Sequence, residues 1–346
     1  MDAERAKNKM NRREFIKLSG VGLLTMAIGD YNKLEAATKR IDFHSHAILP
    51  SYVEGLKKLN IDAVAEEGFP LPNWSVEAHL KFMEDAEIDF SVLSMPTPHI
   101  SNAEVARAIN EEFSVLCKKY PDKFGFVATL PLPDVEGSIA EIDYAIKKLG
   151  ALGFKVASNS DGVYLGDERL NPIFEELNRR KALVIMHPSP ARQLPREGVV
   201  TGRVMALYEY PADTTRAVLN MLANGTLEKY PEIKFVVPHC GSFLPYMKQR
   251  ADAMFQMLSS MKMMEPVNIE SSIKKLYFDL AGDPMPDALD ILLKITDVDH
   301  IVYGSDYPYV PAPILLKKKR ALDEELKQRQ WTNEIYRTNA EGLLNN

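Results

Sequence analysis

The apolar positions of this chain fall into short runs, and several runs end on a residue able to bind a metal or move a proton. The run Arg40-Ile41-Asp42-Phe43-His44-Ser45-His46 ends in two imidazoles two residues apart, which strand alternation places on one face. Three later runs, Ala182 to His187, Ile233 to His239 and His300 to Asp306, each deliver a polar residue at the C-terminal end, just before a loop signal. Strands are predicted near 40–46, 88–95, 124–130, 152–157, 182–187, 233–239, 275–281 and 300–306. Between them, Glu104 to Lys119 and Ser138 to Leu149 carry apolar residues at three- and four-residue spacing and are predicted helices.

Eight such alternations predict an α/β fold, a (β/α)8 TIM barrel. Its parallel strands bring their C-terminal ends to one face, where side chains from distant positions meet. The connections 47–74 and 188–210 fall on that face and are expected to shape substrate access. With 346 residues, 46% of them hydrophobic, the chain can fill one barrel: a catalytic domain over 38–346, including C-terminal helices after the eighth strand.

Residues 1–37 read differently. A basic, polar start leads through Asn11-Arg12-Arg13-Glu14-Phe15-Ile16-Lys17 into the modestly apolar Leu18 to Ile28 and then the small residues Ala36 and Ala37. The paired arginines resemble a twin-arginine export signal, with the twin-arginine export machinery as partner. The apolar stretch is too short for an ordinary transmembrane helix. The expected location is therefore outside the cytoplasm, periplasmic or held at the membrane by the N-terminus. A plain amphipathic extension would leave the chain cytoplasmic.

The net charge of −6, from 42 basic and 48 acidic residues, gives no general attraction for nucleic acid or anionic lipid. The basic run Lys317 to Arg320 reads as a solvated helix face. Two cysteines, Cys117 and Cys240, exclude a disulfide framework and a cysteine zinc module.

His44, His46, His187 and Asp306 would offer three neutral nitrogens and one carboxylate while leaving a position for water or substrate. That set suits Zn²⁺ best and also accepts Mn²⁺, Co²⁺ or Fe²⁺. His239 is then free for acid/base work. Trp74 and His99 are candidates to face a substrate, and of Arg192, Arg196 and Arg203 on the loop after the fifth strand one could clamp a carboxylate, the plainer reading being solvated loop arginines. His79 and His300 read as structural.

These motifs carry a resemblance. Ile41 to Pro50, Met186-His187-Pro188, Pro238 to Pro245 and Tyr303 to Pro308 resemble the metal and acid/base motifs of the amidohydrolase superfamily. The branch is the one containing aminocarboxymuconate-semialdehyde decarboxylase and 6-methylsalicylate decarboxylase, and similarity extends through Asn73-Trp74-Ser75, Asp89 to Ser94, Pro211 to Arg216 and Gly225 to Pro231. The resemblance implies a barrel of the metal-dependent hydrolase type with a single ion on His44, His46, His187 and Asp306. It also implies His239 as the catalytic histidine that binds no metal, and nonoxidative decarboxylation of a small carboxylate with Asp306 or His239 delivering the proton. Cys240 departs from the small residue that relatives often carry after that histidine, and reads as a buried spectator. Other amidohydrolases bridge two metals with a carbamylated lysine on the fourth strand. Lys155 stands on that strand, either for this role or as a buried cation reaching a bound carboxylate. Relatives commonly form homodimers, and the helices after residue 310 offer surface for one.

Two rival functions use the same barrel. A hydrolase would direct activated water onto a lactone, ester or amide, with Asp306 as base; a catalytically silent barrel would only bind a small acid. Carbon dioxide release without net consumption of water separates the first reading from both.

Overall fold

The computed structural model describes residues 40–191 and 204–345. Residues 1–37 and Arg192, Arg196 and Arg203 lie outside the described residues. Eight parallel strands form in chain order: β1 (Arg40–His46), β2 (Ile88–Ser94), β3 (Phe124–Thr129), β4 (Gly153–Ala157), β5 (Leu183–His187), β6 (Lys234–Val237), β7 (Tyr277–Asp279) and β8 (Ile301–Val302). Each pairs with the next. The last returns to the first through Phe43 N–H to the Tyr303 carbonyl at 2.8 Å and His46 N–H to the Tyr307 carbonyl at 2.8 Å. With helices between the strands, this is a (β/α)8 barrel.

Alternation along the strands builds two cores. Ile41, Phe43, Val92, Val127, Leu183, Ile185, Val236 and Val302 fill the barrel, where Ala340, Leu343 and Leu344 of the C-terminal helix Asn339–Leu344 join them. The alternate residues, Phe126 and Ala128 on β3, Phe154 and Val156 on β4 and Phe235 and Val237 on β6, pack outward with the helices.

The helices follow local signals. Asn102 caps Ala103–Lys119 by accepting from Val105 N–H, and the helix buries Val105, Ile109, Phe113 and Leu116 on one stripe. The second predicted helix starts earlier than expected, at Val135, because Asp134 caps it from Gly137 N–H at 3.0 Å. Its last residues, Ala145–Leu149, widen into a π-helical turn closed by Gly150 at φ 77°. The insertion after β1 is not a bare loop, since it holds helices Pro50–Lys58 and Ala63–Glu67. The basic run also differs from expectation. Lys319 is buried, with Nζ 2.5 Å from Glu87 Oε2 and 2.7 Å from Asp323 Oδ2, and the neighbouring Lys318 reaches Asp283 at 2.8 Å. With 3.6 residues per turn, four consecutive residues go round the whole helix, so one member of such a run turns inward. No helix among the described residues is long and apolar enough to cross a membrane.

Candidate metal centre and active site

The ends of β1, β5 and the loop after β8 bring His44, His46, His187 and Asp306 together, with one ligand atom from each lying within 4.8 Å of all the others. His44 Nε2 is 3.2 Å from His46 Nε2, and Asp306 Oδ1 lies 3.6 Å and 3.4 Å from the same two nitrogens. Donors standing about 2.1 Å from a shared centre in a tetrahedron are separated by about 3.4 Å, so the observed spacings suit one divalent ion.

Each ring is oriented from behind. His44 Nδ1 is 2.8 Å from Asp279 Oδ2, His46 Nδ1 is 2.9 Å from Ser94 Oγ, and His187 Nδ1 is 3.1 Å from the Pro188 carbonyl. Each partner accepts the Nδ1 proton, which turns the bare Nε2 lone pair inward. Ser94 Oγ is free to accept because its own hydroxyl donates to the Ser45 carbonyl at 3.3 Å.

The charges agree with this arrangement. Burial pulls the His44 imidazole down, but the charge and hydrogen bond of Asp279 outweigh it and raise the group to about 9. His46 is pushed down to about 4 and His187 well below the usual histidine range, mainly by burial. Burial would raise Asp306, yet hydrogen bonds from His239 and His46 hold its carboxyl well below the usual carboxylate range. His46 and His187 are thus held neutral beside a firmly ionised carboxylate, as a dication requires, while His44, whose cation Asp279 favours, has to release its Nε2 proton when an ion binds.

Asp306 has φ 62°, a left-handed conformation that costs a residue with a side chain. Two groups hold it there. Asp306 N–H donates to the His44 carbonyl at 2.8 Å, and the preceding Ser305 is tied to buried Asp42 through its N–H at 3.0 Å and its hydroxyl at 2.6 Å. Gly304 is required beside them, since a Cβ there would stand 2.7 Å from His44 Cβ.

His239 follows β6 at φ 57°, and Cys240 and Ser242 share that left-handed region. The strain is held by Asp279, whose Oδ1 accepts from His239 N–H at 2.9 Å while its Oδ2 orients His44. His239 Nε2 lies 3.8 Å from Asp306 Oδ2. Asp279, Asp42 and Ser94 were not singled out from the sequence. Asp279 carries a faint signal as the one acid within the seventh apolar run, 275–281; a serine and an acid inside otherwise ordinary strands carry none.

His187, His239 and Asp306 open into a cavity of about 590 Å³ whose other walls include Phe69, Tyr210, Tyr309, Val204, Pro245 and Ile291. Cys240 lines it, buried, and burial pushes its thiol up, away from reactivity. The weaker candidates are placed differently. Trp74 does not line the cavity; its indole N–H donates to His79 Nδ1 at 3.0 Å, and His79 is enclosed by Phe82, Phe124 and Tyr307. His99 is not among the residues lining the cavity either, and its ring nitrogens are buried without well-formed hydrogen bonds, while nearby Thr97 reaches the cavity. Lys155 points into the barrel, since Phe154 and Val156 face out, and its fully buried amine has no hydrogen-bonding partner. His300 stacks on Tyr277 at 4.5 Å, away from the site.

With this geometry in place, comparison with known proteins decides the family. The amidohydrolase family model matches residues 41–345. The chain belongs to the amidohydrolase family. A decarboxylase of Aspergillus niger is 31% identical over 302 residues, covering 82% of this chain and 81% of that protein. The 6-methylsalicylic acid decarboxylase of Penicillium expansum is 28% identical over 288 residues, covering 80% of this chain and 87% of its own length. Among solved structures, a 5-carboxyvanillate decarboxylase of Novosphingobium aromaticivorans, complexed with manganese and 4-hydroxy-3-methoxy-5-nitrobenzoic acid, superposes with a TM-score of 0.77 at 23% identity, covering 90% of this chain and 97% of that one. The amidohydrolase barrel thus shares its fold with a decarboxylase and its sequence with two more.

Proposed function

We propose that this amidohydrolase is a metal-dependent carboxy-lyase that removes the carboxyl group of a small hydroxylated aromatic or unsaturated acid without oxidation. The observation that carries this reading is the largely apolar, aromatic-walled cavity that His187, His239 and Asp306 open into, at the point where His44 and His46 complete the ligand set. The named activities of its relatives point the same way.

His44, His46, His187 and Asp306 would hold one divalent ion, for which the three-nitrogen, one-oxygen set favours Zn²⁺, with Mn²⁺ the first alternative. When bound, the ion supplies a fixed positive charge for the substrate carboxylate and its neighbouring oxygen. The chain's own residues do the rest. Phe69, Tyr210 and Tyr309 offer aromatic faces to a flat ring and exclude water around it. Loss of carbon dioxide from R–COO⁻ leaves an electron pair on carbon that must take up a proton. His239 holds that proton at Nε2 on the cavity wall, with Asp306 Oδ2 at 3.8 Å to balance the imidazolium.

The test is a panel of ortho-hydroxy aromatic acids followed by carbon dioxide release and product mass. One carbon dioxide per acid consumed is expected; a product that has gained water, with no gas, would support hydrolysis instead.

Residues 1–37 are proposed as a twin-arginine export segment, on the strength of Arg12-Arg13-Glu14-Phe15-Ile16-Lys17 and the apolar stretch after it. The mature enzyme would then act outside the cytoplasm.

A further inference from the structure

Every decarboxylation consumes a proton, R–COO⁻ + H⁺ → R–H + CO₂, and at the reacting end of this cavity His239 and Asp306 are only partly exposed, with His44, His46 and His187 buried beside them. The proton that leaves His239 must be replaced each turnover. One feature of the cavity wall has the form of a supply. Tyr210 and Thr97 line the cavity, and the Tyr210 hydroxyl is hydrogen-bonded to Glu67 Oε2 and 3.3 Å from Thr97 Oγ1.

Glu67 ends the helix Ala63–Glu67 and is its one buried residue, at 1% exposure, while Val64, Ala65 and Glu66 face solvent. Its Oε1 makes no well-formed hydrogen bond, although the Thr97 hydroxyl lies close enough to act on the carboxyl. A carboxylate serving only to tie down the insertion would be expected to have both oxygens satisfied, because an unpaired buried anion is strongly disfavoured. A neutral carboxylic acid fits better. The Tyr210 hydroxyl donates to Glu67 Oε2, and once Glu67 is an acid the bond can reverse, with the carboxyl O–H donating to the Tyr210 oxygen and the Tyr210 hydrogen released toward the cavity.

We propose that Glu67 and Tyr210 form a proton path from the surface insertion into the cavity. Glu67 gives its proton to the Tyr210 oxygen as Tyr210 gives its own to cavity water, from which the His239 imidazole is reloaded; Glu67 then recovers a proton from solvent outside the helix. No bond other than O–H and N–H bonds changes. The inference rests on the decarboxylase reading, since hydrolysis by water has no such net demand for a proton.

The surroundings favour the acid form. Lys155 from β4, Tyr52 from Pro50–Lys58, Tyr309 from the loop after β8 and Glu66 on its own helix are the titratable groups that act on Glu67, along with Tyr210 itself, and His99 reaches it through Lys155. Burial pushes the Glu67 carboxyl up to about 8 against the Thr97 hydrogen bond and the charge of Lys155. The same burial pushes the Lys155 ammonium down to about 7. Both groups can therefore exchange a proton near neutrality.

The variants Glu67→Gln and Tyr210→Phe test the path. Gln keeps the volume and an acceptor for the Tyr210 hydroxyl but carries no exchangeable acid proton. For each variant kcat should fall about tenfold or more with bound metal unchanged, in Glu67→Gln with KM unchanged as well, and the double variant should fall no further than the lower single. The alkaline decline of kcat, centred near the Glu67 value of about 8, should vanish in Glu67→Gln. Infrared difference spectra of the full chain should show a protonated carboxyl band that titrates there and is missing from Glu67→Gln. Unchanged kcat and pH profile in both variants, or no such band in the unsubstituted protein, would overturn the path. If the unsubstituted protein releases no carbon dioxide from any acid, the reaction assignment fails, and the infrared band alone still decides whether Glu67 stores a proton.

Discussion

At the scale of single residues, Asp279 shows how one carboxylate can govern both halves of the site. One oxygen orients His44 and the other holds the backbone of His239. Replacing it with Asn preserves volume but removes the charge that favours a protonated Nδ1 and hence a well-directed Nε2. Asp279→Asn is expected to weaken metal affinity about 10- to 100-fold, read by competition with a chelator of known strength. A change of less than twofold would mean that His44 does not depend on this contact. Glu67 and Lys155 make a related point about reach. They are far apart in the chain, on a surface insertion and an interior strand, and a barrel places their charges within influence of each other. No periodicity in the sequence encodes that proximity, which is why Lys155 could be picked out as a buried cation while Glu67 was not.

At the scale of elements, the strands were legible because each is an apolar run bounded by turn residues, and the helices because their apolar stripes recur at helical spacing. What shortened the later strands was equally physical. The run expected over 233–239 pairs only as far as Val237, since Pro238 has no N–H to give and His239 turns left-handed at φ 57°. The run over 300–306 pairs as a strand only at Ile301–Val302; beyond it the chain is taken over by the backbone of β1, with Ser305 and Asp306 N–H both directed at the His44 carbonyl. Departure from regular pairing at these two points lets an imidazole and a carboxylate leave the barrel wall and face the cavity. The handover depends on Gly304. Gly304→Ala should push β1 away from the loop, because the added methyl would meet His44 Cβ at 2.7 Å. Expected outcomes are a lower melting temperature and lost metal binding, checked by thermal unfolding with and without added ion; a variant that melts and binds metal like the unsubstituted protein would contradict the packing described.

At the scale of the whole molecule, the barrel contributes rigidity and convergence, and the chemistry comes from the strand ends. The fold by itself does not choose between decarboxylation and hydrolysis, since both use the same four ligands. The choice rests on the cavity and on the relatives. The proposed export belongs to this scale too: a folded barrel is cargo of the kind a twin-arginine route carries, so under that proposal Arg12→Lys combined with Arg13→Lys should retain the protein in the cytoplasmic fraction, whereas unchanged fractionation would discard residues 1–37 as an export signal. The most direct measurement for the enzyme is carbon dioxide release from an ortho-hydroxy aromatic acid while a divalent ion is titrated into ion-free protein. Release should rise in proportion to bound ion and level off at one ion per chain; release that ignores the ion, or that requires two, would contradict a single centre on His44, His46, His187 and Asp306.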